Sequence, residues 1–300
     1  MKKVVITGAT GSIGLALIDE LIKNNIEILV LCRRDSSRNS KIPVNPLIKK
    51  EECDLNEYRT YAPTQNDYDV FFHLAWAGTT GKAREDMFLQ NLNIEYSLDA
   101  VQLADRFGCK RFVGVGSQAE YGRTDEKLSP STPVFPETGY GIAKLSAGLM
   151  TRKLAHQLKM EHLWVRVLSI YGPNDSESSM VVSVINKLKK CEIPRLTKGE
   201  QLWDYLYCKD AANAFRFIAE KGIDGKIYVL GSGKSFPLRN YLLTIQELVN
   251  KNVPLGFGEI PYANNQVMSL CADISSIKND TGWTPKIDFK SGILDILSLL

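Results

Sequence analysis

The stretch that most constrains this chain lies near its start. Val4-Val5-Ile6 runs directly into Thr7-Gly8-Ala9-Thr10-Gly11-Ser12-Ile13-Gly14. The three leading residues are β-branched and continuously apolar, as in a short strand buried on both faces. Beyond the glycines, Ile13, Leu15, Leu17, Ile18, Leu21 and Ile22 recur with the period of a helix packed on that strand. Glycine at the junction turns the chain sharply and lets backbone approach an anion or a neighbouring strand. A helix start adds unpaired N–H donors and partial positive charge, so a pyrophosphate fits there. The spacing is G-x-x-G-x-x-G, not the commonest dinucleotide fingerprint. Its force therefore comes from the strand–turn–helix setting.

The same alternation continues. Strands are expected at Ile26 to Leu31, Val70 to Ala75, Phe112 to Val115 (running into Gly116-Ser117) and Leu163 to Leu168. A long helical pattern covers about 85–107, with Phe88, Leu92, Tyr96, Ala100 and Leu103 on one side, and a second helix covers about 140–158. Residues 121–138 are rich in Pro, Ser and Thr and read as loop. Alternating strands and helices with short connections predict an α/β fold, a Rossmann-type doubly wound parallel sheet. The expected division is a dinucleotide-binding domain at 1–172 and a smaller α/β substrate lobe at 173–300, with chain at about 201–232 returning to the first. The apolar tail Ile293 to Leu300 reads as a docked terminal helix. Gly231-Ser232-Gly233-Lys234-Ser235 resembles the end of a phosphate loop, but Tyr228 stands where that motif needs glycine. Pro237 argues against a helix there, and no triphosphate site is expected.

Composition narrows the class of function. Of 300 residues, 44% are hydrophobic and 24% charged, with a net charge of +3. The scattered lysines and arginines do not suggest a nucleic-acid surface. Six cysteines without a C-x-x-C pair, and three separated histidines, predict neither a disulfide framework nor a metal centre. No leader is apparent before Met1-Lys2-Lys3, and no apolar run is long enough for a membrane helix. The expectation is a protein of the reducing cytoplasm, with no membrane partner.

Tyr140 and Lys144 stand at i and i+4, on one helix face. A nearby cation favours phenolate, so Tyr140 is expected to have a pKa below its usual value of about 10 and to exchange protons near neutral pH. Ser117 ends a buried strand, where its hydroxyl can face a crevice at the strands' carboxyl ends.

These residues together, with His73-Leu74-Ala75 and Arg166…Tyr171-Gly172-Pro173, resemble the extended short-chain dehydrogenase/reductase family, in particular its nucleotide-sugar epimerases, dehydratases and ketoreductases. Matching positions extend to Gly282-Trp283-Thr284-Pro285, so nearly the whole chain is covered. The resemblance implies that Gly8, Gly11 and Gly14, with Thr7, Ser12 and Ile13, hold the cofactor pyrophosphate. Asp54 and Leu55 would lie by the adenine and Ala75 along the ribose. Asn93 would help hold the active-site strand. Ser117 and Tyr140 would bind the reacting oxygen, while Lys144 holds the nicotinamide ribose. The second lobe would bind a nucleotide-diphosphate sugar, although Ser169 and Trp203 depart from the family pattern there.

Three positions separate reactions within that family. The second strand ends in Cys32 rather than an acid, and Arg33 and Arg34 follow; together they favour NADP(H) over NAD(H). Dehydratases of the family place an acid pair after the active-site hydroxyl, where this chain has Gln118 and Ala119. Ala119 also replaces the cysteine used by the fucose-pathway epimerase-reductases. Glu120 is expected to be structural. The remaining expectations are an NADPH-dependent 4-ketoreductase, a 4-epimerase with tightly held NAD, or a non-catalytic NADP-sensing module. Retention of Ser117, Tyr140 and Lys144 weighs against the last. A homodimer built on the two long helices is implied by the resemblance.

Overall fold

The structure, a computed structural model, describes residues 1–264 and 266–299. The first part of the chain runs β1 (Lys3–Thr7), α1 (Ser12–Lys23), β2 (Glu27–Cys32), β3 (Ile48–Glu52), β4 (Val70–His73), α2 (Met87–Arg106), β5 (Arg111–Ser117), α3 (Gly139–Gln157) and β6 (Glu161–Val167). It continues through β7 (Ser169–Tyr171), α4 (Met180–Lys189), β8 (Arg195–Leu196), β9 (Leu202–Trp203), β10 (Tyr205–Tyr207), α5 (Cys208–Lys221) and β11 (Ile227–Leu230). The remaining elements are β12 (Phe236–Pro237), α6 (Leu238–Val249), β13 (Gly256–Phe257), α7 (Ser275–Thr281) and α8 (Phe289–Ser298).

Seven strands form one sheet in the order β3-β2-β1-β4-β5-β6-β11, and every pairing in it is parallel. The expected doubly wound sheet is present. Side chains alternate between its two faces. Val4, Ile6, Ile28, Val30 and Phe72 face the core shared with α1 and α5, whereas Val5, Leu29, Leu31, Phe71 and Phe112 face the core under α2 and α3. Later chain reaches the sheet too. β11 pairs with β6, and α5 lies against α1, where Arg216 Nε binds Glu20 at 2.7 Å. Outside the sheet, α4 packs on α6 and α6 on α8, and three short strand pairs (β7–β10, β9–β12 and β8–β13) connect them.

The structure corrects two local expectations. The apolar stripe assigned to one side of α2 does not all face the core: Phe88 is 87% exposed and Leu92 40% exposed. The buried face instead carries Gln90, Asn93 and Ser97, together with Ala100 and Leu103. Those polar groups are buried because each is hydrogen-bonded, most of them to loop backbone. The second correction concerns Pro237, which stops no helix. It directly precedes α6, where the missing N–H costs nothing because the first amides of a helix have no partner within it.

The glycine turn before α6 holds one of the protein's own carboxylates. Asp204 accepts from the amides of Ser232 (2.7 Å), Gly233 (3.1 Å) and Ala272 (3.0 Å) and from the Ser232 hydroxyl (2.7 Å). At the end of the chain, Ile293 and Ile296 of α8 are buried; Leu300, the last residue of the predicted tail, lies outside the described residues. Among the described residues no helix is long and apolar enough to cross a membrane.

Candidate active site

The sheet order reverses between β1 and β4, and a crevice opens at the carboxyl ends of such a pair. The two strand ends are tied together. Thr7 Oγ1 lies 2.9 Å from His73 Nδ1 and accepts from the amide of Ala75 at 3.4 Å, and His73 Nε2 lies 3.3 Å from Ser97 Oγ. Burial, and then the Lys144 charge, push the His73 pKa down to about 3, so the ring is neutral at physiological pH. Gly8 has φ +70°, and a Cβ there would meet the backbone N of Ala75 at 2.5 Å. A Cβ on Gly14 would meet the carbonyl oxygens of Gly8 and Ala9 at 2.6 Å. A Cβ on Gly11 would meet only Gly8 O, at 3.5 Å.

A cleft of about 460 Å³ runs along this seam. Of the residues nominated from sequence, Gly8, Gly11, Arg33, Leu55 and Ala75 line it. Thr7 and Gly14 support the turn from behind, Ser12 opens α1 with its hydroxyl buried and unpartnered, and Ile13 follows in the first helical turn. Asn93 acts on the loop beyond β4. Its Oδ1 accepts from the Ala77 amide at 2.8 Å, and its Nδ2 donates to the Ala77 carbonyl at 2.9 Å. Asp54 sits beside Leu55, with a buried Oδ1 that has no hydrogen-bond partner.

The expected arginine pair separates. Arg34 is bound to Glu57 at 2.5 Å and is absent from the lining, whereas Arg38 joins Arg33 in it. The chain turns at Arg34 just after β2 ends, so the two neighbouring side chains leave it in different directions. Arg38 sits on the short helical turn Ser37–Lys41 and also donates to the Asn174 carbonyl at 3.1 Å. The available sequence signal was a third arginine in the loop after β2. Free amides at the start of α1, a first turn with no acidic residue, two arginines as donors and an unpartnered carboxylate oxygen as acceptor form a set that fits an adenine dinucleotide.

At the end of β5, Glu120 lies fully buried on the turn Gln118–Glu120 and fixes Ser117. Its Oε1 accepts from the Ser117 amide at 2.8 Å and from Trp164 Nε1 at 3.0 Å, and its Oε2 accepts from Arg166 Nε at 2.6 Å. Tyr140 and Lys144 share the inner face of α3, both buried. Lys144 Nζ donates to the Val115 carbonyl at 2.7 Å and lies 5.8 Å from the Tyr140 ring centre. The lowered tyrosine pKa expected from sequence is not found. Burial raises it, and the opposing influences are the Arg84 charge and a hydrogen bond with Ser117. Arg84 Cζ sits 4.2 Å from the Tyr140 ring centre. Burial instead lowers the Lys144 pKa to about 7, against the pull of Glu120.

Read from sequence, Trp76 has no role of its own beyond its place in a segment similar to the 4-keto-6-deoxysugar reductases, and Arg84 is not singled out. Trp76 lines the cleft, with its ring centre 3.7 Å from Lys144 Nζ and 6.0 Å from the Tyr140 ring. The signal was a tryptophan directly after His73-Leu74-Ala75. Among the described residues, no three His, Cys, Asp or Glu side chains gather as a metal-binding group.

A glycine turn at a switch point, a cleft along it, and a Ser–Tyr–Lys set that meets the cleft-lining Trp76 are the features of a nicotinamide-dependent enzyme of the extended short-chain dehydrogenase/reductase class. Residues 4–231 match the model of the NAD dependent epimerase/dehydratase family, and the chain belongs to that family. It is 24% identical over 305 residues to CDP-abequose synthase of Salmonella typhimurium, covering 99% of this chain and 98% of the relative. It is also 24% identical to dTDP-4-dehydro-6-deoxyglucose reductase of Escherichia coli, covering 97% of this chain and 95% of the relative. In fold it is similar to a UDP-glucuronic acid 4-epimerase from Bacillus cereus solved in complex with NAD, with a TM-score of 0.85, 18% identity and coverage of 99% and 97% of the two chains.

Two alanine substitutions separate the turn's structural role from its proposed ligand role. Gly8→Ala is expected to destabilise the fold by at least about 2 kcal/mol, because it combines a left-handed backbone with a clash against the backbone of Leu74 and Ala75 just beyond β4. Gly11→Ala is expected to leave urea unfolding within about 1 kcal/mol of the parent while weakening dinucleotide binding, because its methyl group projects toward the cleft. Equal loss of stability in both variants would contradict the assignment.

Proposed function

We propose that this protein uses NADPH to reduce the ketone of a nucleotide-linked 4-keto-6-deoxy sugar. One observation carries the reading. Ser117 and Tyr140 adjoin Lys144 with no free acid–base pair beside them: Gln118 and Ala119 hold the positions of such a pair, and Glu120 is fully engaged by Ser117, Trp164 and Arg166. That arrangement suits carbonyl reduction and not elimination of water. The relative named as a reductase supports the same chemistry.

When bound, the reduced nicotinamide supplies a hydride to the carbonyl carbon. Tyr140 donates its proton to the oxygen, and solvent later restores it. Burial favours the neutral phenol, which is the state in which a proton donor must begin. The Ser117 hydroxyl orients the oxygen, and Lys144 supports the ribose end. Arg33 and Arg38 are suited to a 2′-phosphate, which underlies the preference for NADPH. Thr7, Ser12, Ile13, Gly14, Asp54 and Asn93 retain their proposed support of the cofactor. A separate apolar cavity of about 300 Å³, lined by Trp203, Tyr205, Leu238 and Gln201, is the proposed seat of the substrate nucleotide. The cytoplasm, which keeps thiols reduced, is the proposed compartment, and the cysteines are free.

The test is NADPH oxidation with a panel of dTDP-, CDP-, GDP- and UDP-linked 4-keto-6-deoxy sugars, with NADH run in parallel. NADPH is expected to be consumed faster than NADH. Arg33→Ala and Arg38→Ala should raise KM for NADPH with little effect on KM for NADH. Tyr140→Phe is expected to lower turnover by roughly 10²–10⁴. Near-normal turnover in that variant would refute the assigned acid. The epimerase similarity supports a second reading, a 4-epimerase. Copurified NAD, with sugars interconverted and no net cofactor consumed, would replace the first reading with the second.

We also propose a homodimer through the outer faces of the packed helices α2 and α3, which expose Met87, Phe88 and Leu92 on the one and Ile142, Leu149 and Met150 on the other. Sedimentation is expected to give twice the chain mass at micromolar concentration, and Phe88→Glu combined with Met150→Glu to give a monomer. A monomeric parent protein would refute the interface.

A further inference from the structure

Lys144 is held from two directions. Its ammonium group donates to the Val115 carbonyl at 2.7 Å and lies over the face of Trp76, 3.7 Å from the ring centre. The indole is itself fixed, because Trp76 Nε1 donates to Gln90 Oε1 at 2.9 Å. Gln90 is buried on α2, and its Nε2 donates to the carbonyls of Gly78 (3.0 Å) and Ala83 (2.8 Å). One glutamine thus bridges the loop that carries Trp76 to Arg84, so the aromatic face cannot turn away without breaking its bond to a side chain that two loop carbonyls hold in place. The edge of the same indole meets the Tyr140 ring at 81° and 6.0 Å between centres.

A buried ammonium ion loses hydration, and few groups offset that loss without a full negative charge. The face of a tryptophan is the strongest aromatic partner for a cation, and its attraction grows when water is excluded. The charged and titratable groups around Lys144 are Glu120 from the turn after β5, His73 from β4, Tyr140 on its own helix, and Arg84 on the far side of the phenol. Glu120 is shared with Arg166, His73 is neutral, and Arg84 carries like charge. Apart from the Val115 carbonyl, the Trp76 face is therefore the group in contact with the cation that favours it without itself carrying charge.

We propose that Trp76 is a positioning residue for the catalytic pair: its indole face seats the Lys144 ammonium ion beside Tyr140 and keeps it protonated in a dry site. Trp76 acts through Lys144. Weakening the face without changing its shape should make the lysine release its proton at lower pH. Losing the face altogether should leave the ammonium ion tethered by Val115 alone. The link to turnover rests on the reductase reading; the effect on Lys144 does not.

The test is carried out on the ligand-free protein. Lysine labelled with ¹⁵N at Nζ and ¹³C at Cε is titrated by NMR, and the Lys144 signal is identified by its loss in Lys144→Met. The parent midpoint is expected near 7. Replacing tryptophan biosynthetically with mono-, di- and more heavily fluorinated analogues weakens the ring face at nearly constant shape. The Lys144 midpoint should fall stepwise with fluorination, by about one pH unit at the most fluorinated stage. The protein has four tryptophans, so the same series is run in Trp76→Phe, where fluorination should leave the midpoint unchanged. A midpoint that does not respond in the parent protein, or responds equally in Trp76→Phe, would overturn the proposal. Urea unfolding of each sample checks that the fold is intact. Because no cofactor or sugar is added, this result stands apart from any failure of the reductase assignment.

Discussion

The buried carboxylate of Glu120 is the interaction on which the candidate active site of this molecule depends. Fully excluded from water, it accepts from the Ser117 amide, from Trp164 and from Arg166. Burying a carboxylate costs several kcal/mol unless a partner and hydrogen bonds offset it, and breaking such a pair typically costs about 3–5 kcal/mol. Here every compensating donor comes from β5 or β6, so the same bonds that make the charge tolerable also fix the end of β5 where Ser117 stands. Gly116 is part of this arrangement, because a Cβ there would overlap the Glu120 carboxylate and the Trp164 indole. A ladder of stacked rings, Phe71, Phe112, His162 and Trp164, crosses the sheet from β4 and ends on that carboxylate.

A second set of polar contacts organises the opposite wall. The inner face of α2 presents Gln90, Asn93 and Ser97 toward the loop beyond β4, and they pin Trp76, Ala77, Gly78, Ala83 and His73. A loop that crosses buried space must have its amides and carbonyls satisfied, and side-chain amides carry both donor and acceptor. That requirement turns the polar stripe of α2 inward and leaves Phe88 and Leu92 outside. Over its first half the helix is amphipathic in the reverse sense to that expected of a surface helix, and from Ala100 onward its buried residues are apolar.

Charge is handled by similar local pairing elsewhere. The glycine turn at Gly231 to Gly233 looks built for phosphate, yet its amides hold Asp204, a carboxylate of the protein itself. In the loop after β2, Arg34 is neutralised by Glu57 while Arg33 and Arg38 line the cleft. Arg38 also reaches Asn174, just beyond β7, so this end of the cleft touches the chain that leads into α4. Identical residue types within six positions thus have different roles, decided by which neighbour comes near.

Much of the fold was legible because its rules are local. Continuous β-branched runs, a helical period and glycine between them specify strand, turn and helix over a few residues, and short connections make the sheet parallel. The Tyr140/Lys144 spacing and the strand-terminal Ser117 were legible for the same reason, since helix and strand periodicity set which way a side chain leaves the chain. What depends on contacts between distant segments was not. The inward face of α2, the separation of Arg33 from Arg34, the filling of the glycine turn by Asp204 and the seating of Lys144 on Trp76 each join residues with no fixed sequence spacing. The raised tyrosine pKa belongs with them, because desolvation is a property of the packed site and not of the neighbours in the chain. The sequence by itself determined the sheet, the turn and the chemical groups brought to the crevice; tertiary packing decided which of those groups stay charged, because burial and pairing exist only once the chain has closed around them.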